Sequence, residues 1–267
     1  MIHYSRTTSR FVLCLISVVA GWAHSAVADE RDLWTLWSLN TNVVADHAAL
    51  VTACREYSAK SPQDPLKVVV DGVEAWHHLK MGNTQRAAAL YLEMLRVTEA
   101  ATPLQVAGAE MARYWLTRLD REQVRVALKR LYMRDIEYPV TLAAIKTLKP
   151  PAVPPLQDRW GKSWDYRQES VIKGMKSQRY VLESGRLGAG SDLKKALDVP
   201  YAAGIRLEPV KPSPIGNDTY EFSTPSQKSI FLQAGTSKDG VVVAYLGANL
   251  IVLSDGNHWS VALKTRK

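Results

Sequence analysis

Pro65 to Val97 reads PLKVVVDGVEAWHHLKMGNTQRAAALYLEMLRV. Leu66, Val69, Val73, Trp76 and Leu79 return every three or four positions, the spacing that places side chains along one face of an α-helix. Gly82-Asn83 breaks that helix, and Ala87, Tyr91, Met94 and Leu95 then make a second stripe that faces the first. The pattern predicts an antiparallel helical hairpin, and it sets the class of the N-terminal half.

Within the hairpin, Ala75, Gly82, Ala87 and Tyr91 fall at offsets that resemble the tetratricopeptide repeat, in which small residues let two helices approach and an aromatic packs between repeats. The resemblance implies a next hairpin. Ala112, Leu119, Val124 and Leu128 take the corresponding places at a spacing slightly longer than the repeat, with Leu119 standing where the turn glycine belongs. An earlier helix from Asp46 to Ala59 completes the stack, and helical periodicity extends from about Leu33 to Leu148. The expectation is a short helical solenoid, with an irregular helical bundle as the alternative.

Upstream, Met1 to Ala28 has the composition of a secretory signal: Arg6 and Arg10, an apolar stretch from Phe11 to Ala23, and the small-residue site Ala26-Val27-Ala28. Cleavage before Asp29 is predicted. A retained anchor is the alternative, and membrane association is expected only through an uncleaved signal. Cys14 lies inside the apolar stretch behind Leu13, not at a lipoprotein cleavage point. The chain of 267 residues is 46% hydrophobic and 22% charged, a globular composition that excludes a polytopic membrane protein. Its net charge of +8 falls by two to +6 when Arg6 and Arg10 leave with no acid, which favours anionic partners, although the bases are dispersed among acids. Cys54 is then single, so it forms no intramolecular disulfide and reads as a buried thiol, with intermolecular pairing as the other possibility.

Downstream, Lys149 to Pro155 reads KPPAVPP, an extended spacer that ends the helical domain of residues 29–148. A small α+β segment follows over 156–209. Ser163–Gln168 and Gln178–Ser184 are strand-like, Gly185–Gly190 is a turn, and Ser191 is placed to cap a short helix through Leu197 that Pro200 ends. Val210-Lys211-Pro212-Ser213-Pro214 reads as a second loose connection. In the last unit, 210–267, Ser229–Gln233, Val241–Leu246, Asn249–Leu253 and Trp259–Leu263 are apolar runs between turns, an antiparallel β meander. The chain is thus expected to be a multi-domain α+β protein.

Asp158, Trp160, Gly161, Trp164 and Tyr166, followed by Tyr180, Ser184 and Gly185, resemble the C-terminal element of type II secretion major pseudopilins over residues 158–192. In that family the element leads into a strand and a calcium-binding loop, and here Trp164 stands in place of a tyrosine. The resemblance implies a packing element in which two strands cross-pair under aromatic cover. It does not extend to metal or assembly: the family's long N-terminal helix is missing, and Asp192 beside Arg186 falls short of the several carboxylates calcium needs.

Chemistry leaves fewer marks. Glu74 and His78 could share a helix face as half a metal site, but no second ligand pair at helical spacing accompanies them, so a solvated helix face is the favoured reading. His258 follows the Asp255-Gly256-Asn257 turn, and Trp34 and Trp37 read as core. No nucleophile elbow, zinc helix, phosphate loop or dinucleotide fingerprint occurs, so no catalytic, metal or cofactor residue is assigned and no cofactor is expected. Export and the lack of a basic aromatic platform argue against nucleic acid. The leading expectation is a non-enzymatic periplasmic or secreted scaffold with protein partners in the cell envelope, associated with a secretion or pilus-type assembly. One alternative is a periplasmic hydrolase that gathers distant residues such as Asp192, Ser254 and His258, and the other is a module that binds anionic cell-wall polymer.

Overall fold

The computed structural model describes residues 29–40, 46–96, 100–149, 153–169, 178–214, 216 and 218–264. The expected signal, 1–28, lies outside the described residues, as does part of the proline-rich spacer. Helices come first: α1 (Glu30–Asn40), α2 (His47–Lys60), α3 (Lys67–Lys80), α4 (Thr84–Met94) and α5 (Pro103–Asp135). Three of these starts have a side-chain cap. Asp46 accepts from the amides of Ala48 and Ala49 at the head of α2, and Asn83 accepts from Arg86 at the head of α4. Thr102 and Gln105 form a reciprocal capping box ahead of α5, with Pro103 in the first turn.

The α3–α4 hairpin forms as its periodicity dictates. Gly82 turns the chain at φ +78°, and Ala75, Ala87 and Tyr91 are fully buried between the helices. The second hairpin does not form. α5 is one continuous helix of 33 residues, about 50 Å long, and Leu119 is a buried position within it. The stretch from Ala112 to Leu128 contains no glycine, proline or other breaker, so nothing in it turns the chain.

Beyond α5 the strands are β1 (Asp165–Glu169), β2 (Arg179–Glu183), β3 (Glu208–Pro212), β4 (Thr219–Ser223), β5 (Ile230–Gln233), β6 (Ser237–Lys238), β7 (Val241–Leu246), β8 (Leu250–Ser254) and β9 (Trp259–Leu263), with α6 (Leu193–Asp198) between β2 and β3. β1 and β2 pair antiparallel, β3–β4–β5 make a second sheet, and β6–β7–β8–β9 is the C-terminal meander. Two details differ from expectation. The stretch around Val210 to Pro212 is strand β3, paired to β4 through an irregular register, not a loose connection. β5 belongs to that smaller sheet and not to the meander, because its partner is β4.

Layering explains the composition of β8, which is buried at every residue. Leu250 and Val252, with Ala244, Trp259 and Val261, join the core of α1 to α5. Ile251 and Leu253, with Val241 and Val243, join a second core made with Tyr220, Phe222 and Ile230 of the smaller sheet. Helices, meander and small sheet therefore lie in three layers, and a strand covered on both faces reads as the continuous run LIVLS instead of an alternation. A third cluster joins the far half of α5 to the β1–β2 hairpin through Val124, Leu128, Leu131, Trp164 and Leu182.

The pseudopilin-like residues sit on this hairpin and carry structure. Asp158 Oδ1 accepts from the amides of Trp160 and Lys162, and its Oδ2 accepts from the Ser184 hydroxyl. Gly161 turns at φ +76°, Trp164 donates to Pro155 O, and Tyr166 donates to Pro139 O at 2.6 Å. Tyr180 packs between Tyr138 and Tyr166, and Gly185 follows Ser184 in the turn toward α6. Asp192, not Ser191, caps α6 by accepting from Lys195; Ser191 is buried and donates to Gly188 O.

Candidate binding site at the helix–sheet seam

Where α5 crosses the β8–β9 connection, an arginine occupies the buried stripe. Arg118 is three residues after Trp115, so both project from the same face toward the sheet. Trp115 Nε1 donates to Asn257 O at 2.7 Å. Arg118 donates from Nε to Gly190 O at 2.9 Å and from Nη2 to Asn257 Oδ1 at 2.7 Å, while its Nη1 has no partner among the described residues. Arg118 is 4% exposed, and its guanidinium lies over the Trp115 ring at 4.6 Å. Burial lowers its pKa to about 10, against the raising influence of Tyr91, Tyr114 and Asp255, so it remains a cation at neutral pH.

The turn opposite is built by Asp255. Its Oδ1 accepts from the amides of Asn257 and His258, each at 2.8 Å, and Gly256 takes φ +82° against the Tyr114 ring. His258 is thereby carried inward, not onto an open turn: it is 4% exposed, with Nδ1 3.8 Å from Asp255 Oδ2 and Nε2 without a partner among the described residues. Burial alone would raise the Asp255 pKa, but His258 and the two amides hold it below the usual carboxylate range. Tyr201 packs on His258 at 4.6 Å and on Trp76 at 4.8 Å, closing the inner wall with aromatic rings.

These groups border a cavity of about 320 Å³, lined among others by Trp115, Arg118, Lys195, Val199, Asp255 and His258. One wall is apolar, one holds a buried cation and an imidazole, and exposed Lys195 stands at the rim. A larger groove of about 510 Å³ runs between α4 and α5 near Pro154, but none of its lining side chains is a buried polar group lacking a partner.

The other histidine clusters are closed. Glu74 and His78 do lie together at 3.4 Å, yet Glu74 Oε1 also meets Arg55 at 3.2 Å and Arg86 at 3.6 Å, so the carboxylate is committed to an ion-pair network and not to a solvated face. His77 hydrogen-bonds Asn40 Oδ1 through Nε2 and His47 through Nδ1, both at 2.8 Å. With the His77 proton on Nε2, Nδ1 accepts from His47, and both rings stay neutral. Among the described residues no group of three or more histidine, cysteine or acidic side chains could hold a metal ion. Cys54 is fully buried, and burial pushes its thiol pKa well above the ordinary range. No helix among the described residues is long and apolar enough to cross a membrane.

Of the three residues proposed from sequence for a hydrolytic site, only His258 reaches the cavity. Ser254 is buried with Oγ accepting from Gly256, and Asp192 is held by Arg121 at the α6 cap. The residues that sequence reasoning missed are Arg118, Asp255 and Asn257. A signal for the first was present, since an arginine at the inward position of a helix stripe is either costly or functional.

Comparison of the chain with protein-family models, with curated proteins and with solved structures found no match to any of them.

Proposed function

We propose that this chain is an exported, non-enzymatic binding protein of the cell envelope, whose helix–sheet cavity receives an anionic group presented by a protein partner. The observation that carries the reading is the buried Arg118 cation, whose hydrogen bonds among the described residues go only to neutral oxygens and whose Nη1 has no partner among them. A buried charge without an opposite charge in direct contact is costly, and an incoming carboxylate or phosphate would supply one. The apolar wall of Trp115 and Val199 gives the rest of that segment a surface to cover. The pseudopilin-like hairpin makes a secretion or pilus-type assembly the natural setting in which to seek the partner, by analogy alone.

The test is a photo-crosslinking residue placed at Val199 on the rim, or at exposed Arg167 on β1 as the control, in the envelope of the producing cell. Adducts from position 199 that fade in an Arg118→Met background are expected. Equal adducts from both positions, or none from the rim, would remove the cavity as the contact.

A second reading has one observation in its favour: His258 lies in a cleft beside the Asp255 carboxylate, the arrangement of a base that could activate water. Ester, phosphoester and peptide substrates offered to wild type and His258→Ala decide it. Turnover present only in wild type would support a hydrolase, and its absence with every class counts for binding.

A further inference from the structure

Asp29 opens α1 by accepting from the Asp32 amide at 3.0 Å, and its own backbone nitrogen lies 2.9 Å from Oδ2 of Asp64. Asp64 is 7% exposed and otherwise takes neutral donors, the Tyr57 hydroxyl at 2.7 Å on Oδ2 and the Leu66 amide at 2.8 Å on Oδ1. Among the described residues, no lysine, arginine or histidine forms an ion pair with it; nearby Lys60 is engaged with Asp32 and approaches Asp29 at 4.0 Å. A buried carboxylate surrounded by neutral donors is satisfied in hydrogen bonds but not in charge. The nitrogen it faces is the one that signal cleavage before Asp29 would free, after Ala26-Val27-Ala28.

We infer that Asp64 is a receptor for the mature N-terminus: hydrolysis of the Ala28–Asp29 bond converts an amide donor into an α-ammonium that forms a buried ion pair with Asp64. The inference rests on the export reading. In the cleavage, catalysed by a signal peptidase, water adds across the scissile bond. Its hydroxyl goes to the Ala28 carbonyl carbon and a proton to the Asp29 nitrogen, and the resulting amine takes a second proton from solvent. In the precursor the same nitrogen can only offer a neutral hydrogen bond; in the processed chain it offers a charge at 2.9 Å.

An ammonium at the start of a helix opposes the helix dipole, so this position is unfavourable unless a carboxylate answers it. Asp64 does so from the α2–α3 connection, and the pair ties the first helix to the helical core. Glu30, the next residue, anchors the other side by accepting from Tyr245, Ala248 and Asn249 on and after β7. The first two residues of the mature chain thus join both halves of the fold, which links processing to stability.

Four proteins test this: chains beginning at Asp29 or carrying Ala28 ahead of it, each with Asp64 or with Asp64→Asn. Mass measurement of the protein recovered from the envelope gives the processing site. Addition of Ala28 is expected to lower the thermal midpoint by about 2–4 °C with Asp64 present and by less than about 1 °C with Asn. An equal shift in both backgrounds, or none in either, overturns the inference while leaving export intact. Processing at another bond overturns the export boundary itself. If Asp64→Asn does not fold, the pH dependence of amine labelling at Asp29 replaces it. A titration raised relative to the Ala28-extended chain supports the pair, and an unchanged one refutes it; the charged and titratable groups around the amine include Asp29, Glu30, Asp32, Tyr57, Lys60, Asp64 and Tyr245.

Discussion

His77 shows how a single buried ring makes the stability of this protein depend on pH. Burial, the largest influence, together with His47, His78 and Lys80, lowers its pKa from 6.5 to about 3. The unfolded chain takes up a proton near 6.5 and the folded chain near 3, so the stabilisation from a neutral His77 is complete above the first value and is lost progressively as pH falls between the two. At pH 5 the loss is about 2 kcal/mol, taking 1.36 kcal/mol for each pH unit below the unfolded value. Urea midpoints at pH 7 and pH 5 check this: His77→Gln should be less stable than wild type at pH 7 but show a shallower decline. Parallel declines in the two chains would mean that another group controls the acid limb. Residue types of this kind were visible in the sequence, but their environments were not. His258 reads in the sequence as a turn residue, and the Asx turn of Asp255 is what folds it inward. Arg118 is hidden in the sequence because a helix rich in arginine holds one inward-facing member among several solvated ones.

Elements were legible where a breaker marked them. Gly82-Asn83 separates α3 from α4 as expected, whereas α5 continues through the position where repeat spacing called for a turn, because no residue there can make one. β3 is masked in the sequence by its prolines, Pro209 and Pro212, which suggest a loop; it lies at the edge of its sheet, where prolines are tolerated. Two tests belong to this scale. Gly72 on α3 faces Trp259 of β9, and an added Cβ would run into the indole Nε1 and sit 3.2 Å from Met111 Sδ. Alanine would gain about 1 kcal/mol of helix propensity, but overpacking a core costs about 1–3 kcal/mol, so Gly72→Ala should be net destabilising in denaturant melts. A stabilised variant would show that the α3–β9 contact yields. On the β1–β2 hairpin, Asp158→Ala abandons two amides and a hydroxyl, for an expected loss of about 2–4 kcal/mol, while Asp158→Asn keeps an acceptor and should lose less. Equal losses would point to charge and not to hydrogen bonding.

At the scale of the molecule, the mixed α+β class could be read from sequence, but the way its parts share cores could not, because a proline-rich spacer and a change of periodicity say where elements change and nothing about which faces meet. β8 is where the layers meet: Leu250 and Val252 face the helices, and Ile251 and Leu253 face the small sheet. Glu30 adds a polar tie from α1 to the β7–β8 turn across more than two hundred residues of sequence. A strand whose two faces complete two cores cannot leave one of them without exposing the other, so helices and sheets should unfold together. Leu253→Ala, which touches only the small-sheet side, is expected to cost about 2–5 kcal/mol. The decisive point is where that loss appears. With one cooperative unit, the far-ultraviolet helical signal and the amide-exchange protection of Tyr220 and Phe222 in the small sheet are lost at the same lower midpoint; if the helices melt at their original midpoint while the small sheet opens earlier, the layers are independent. The cavity proposed to bind an anionic group lies on the same seam, between α5, α6 and the β8–β9 turn. Its geometry therefore exists only while the layers remain joined, and a ligand held by Arg118 should raise both unfolding signals by one common amount.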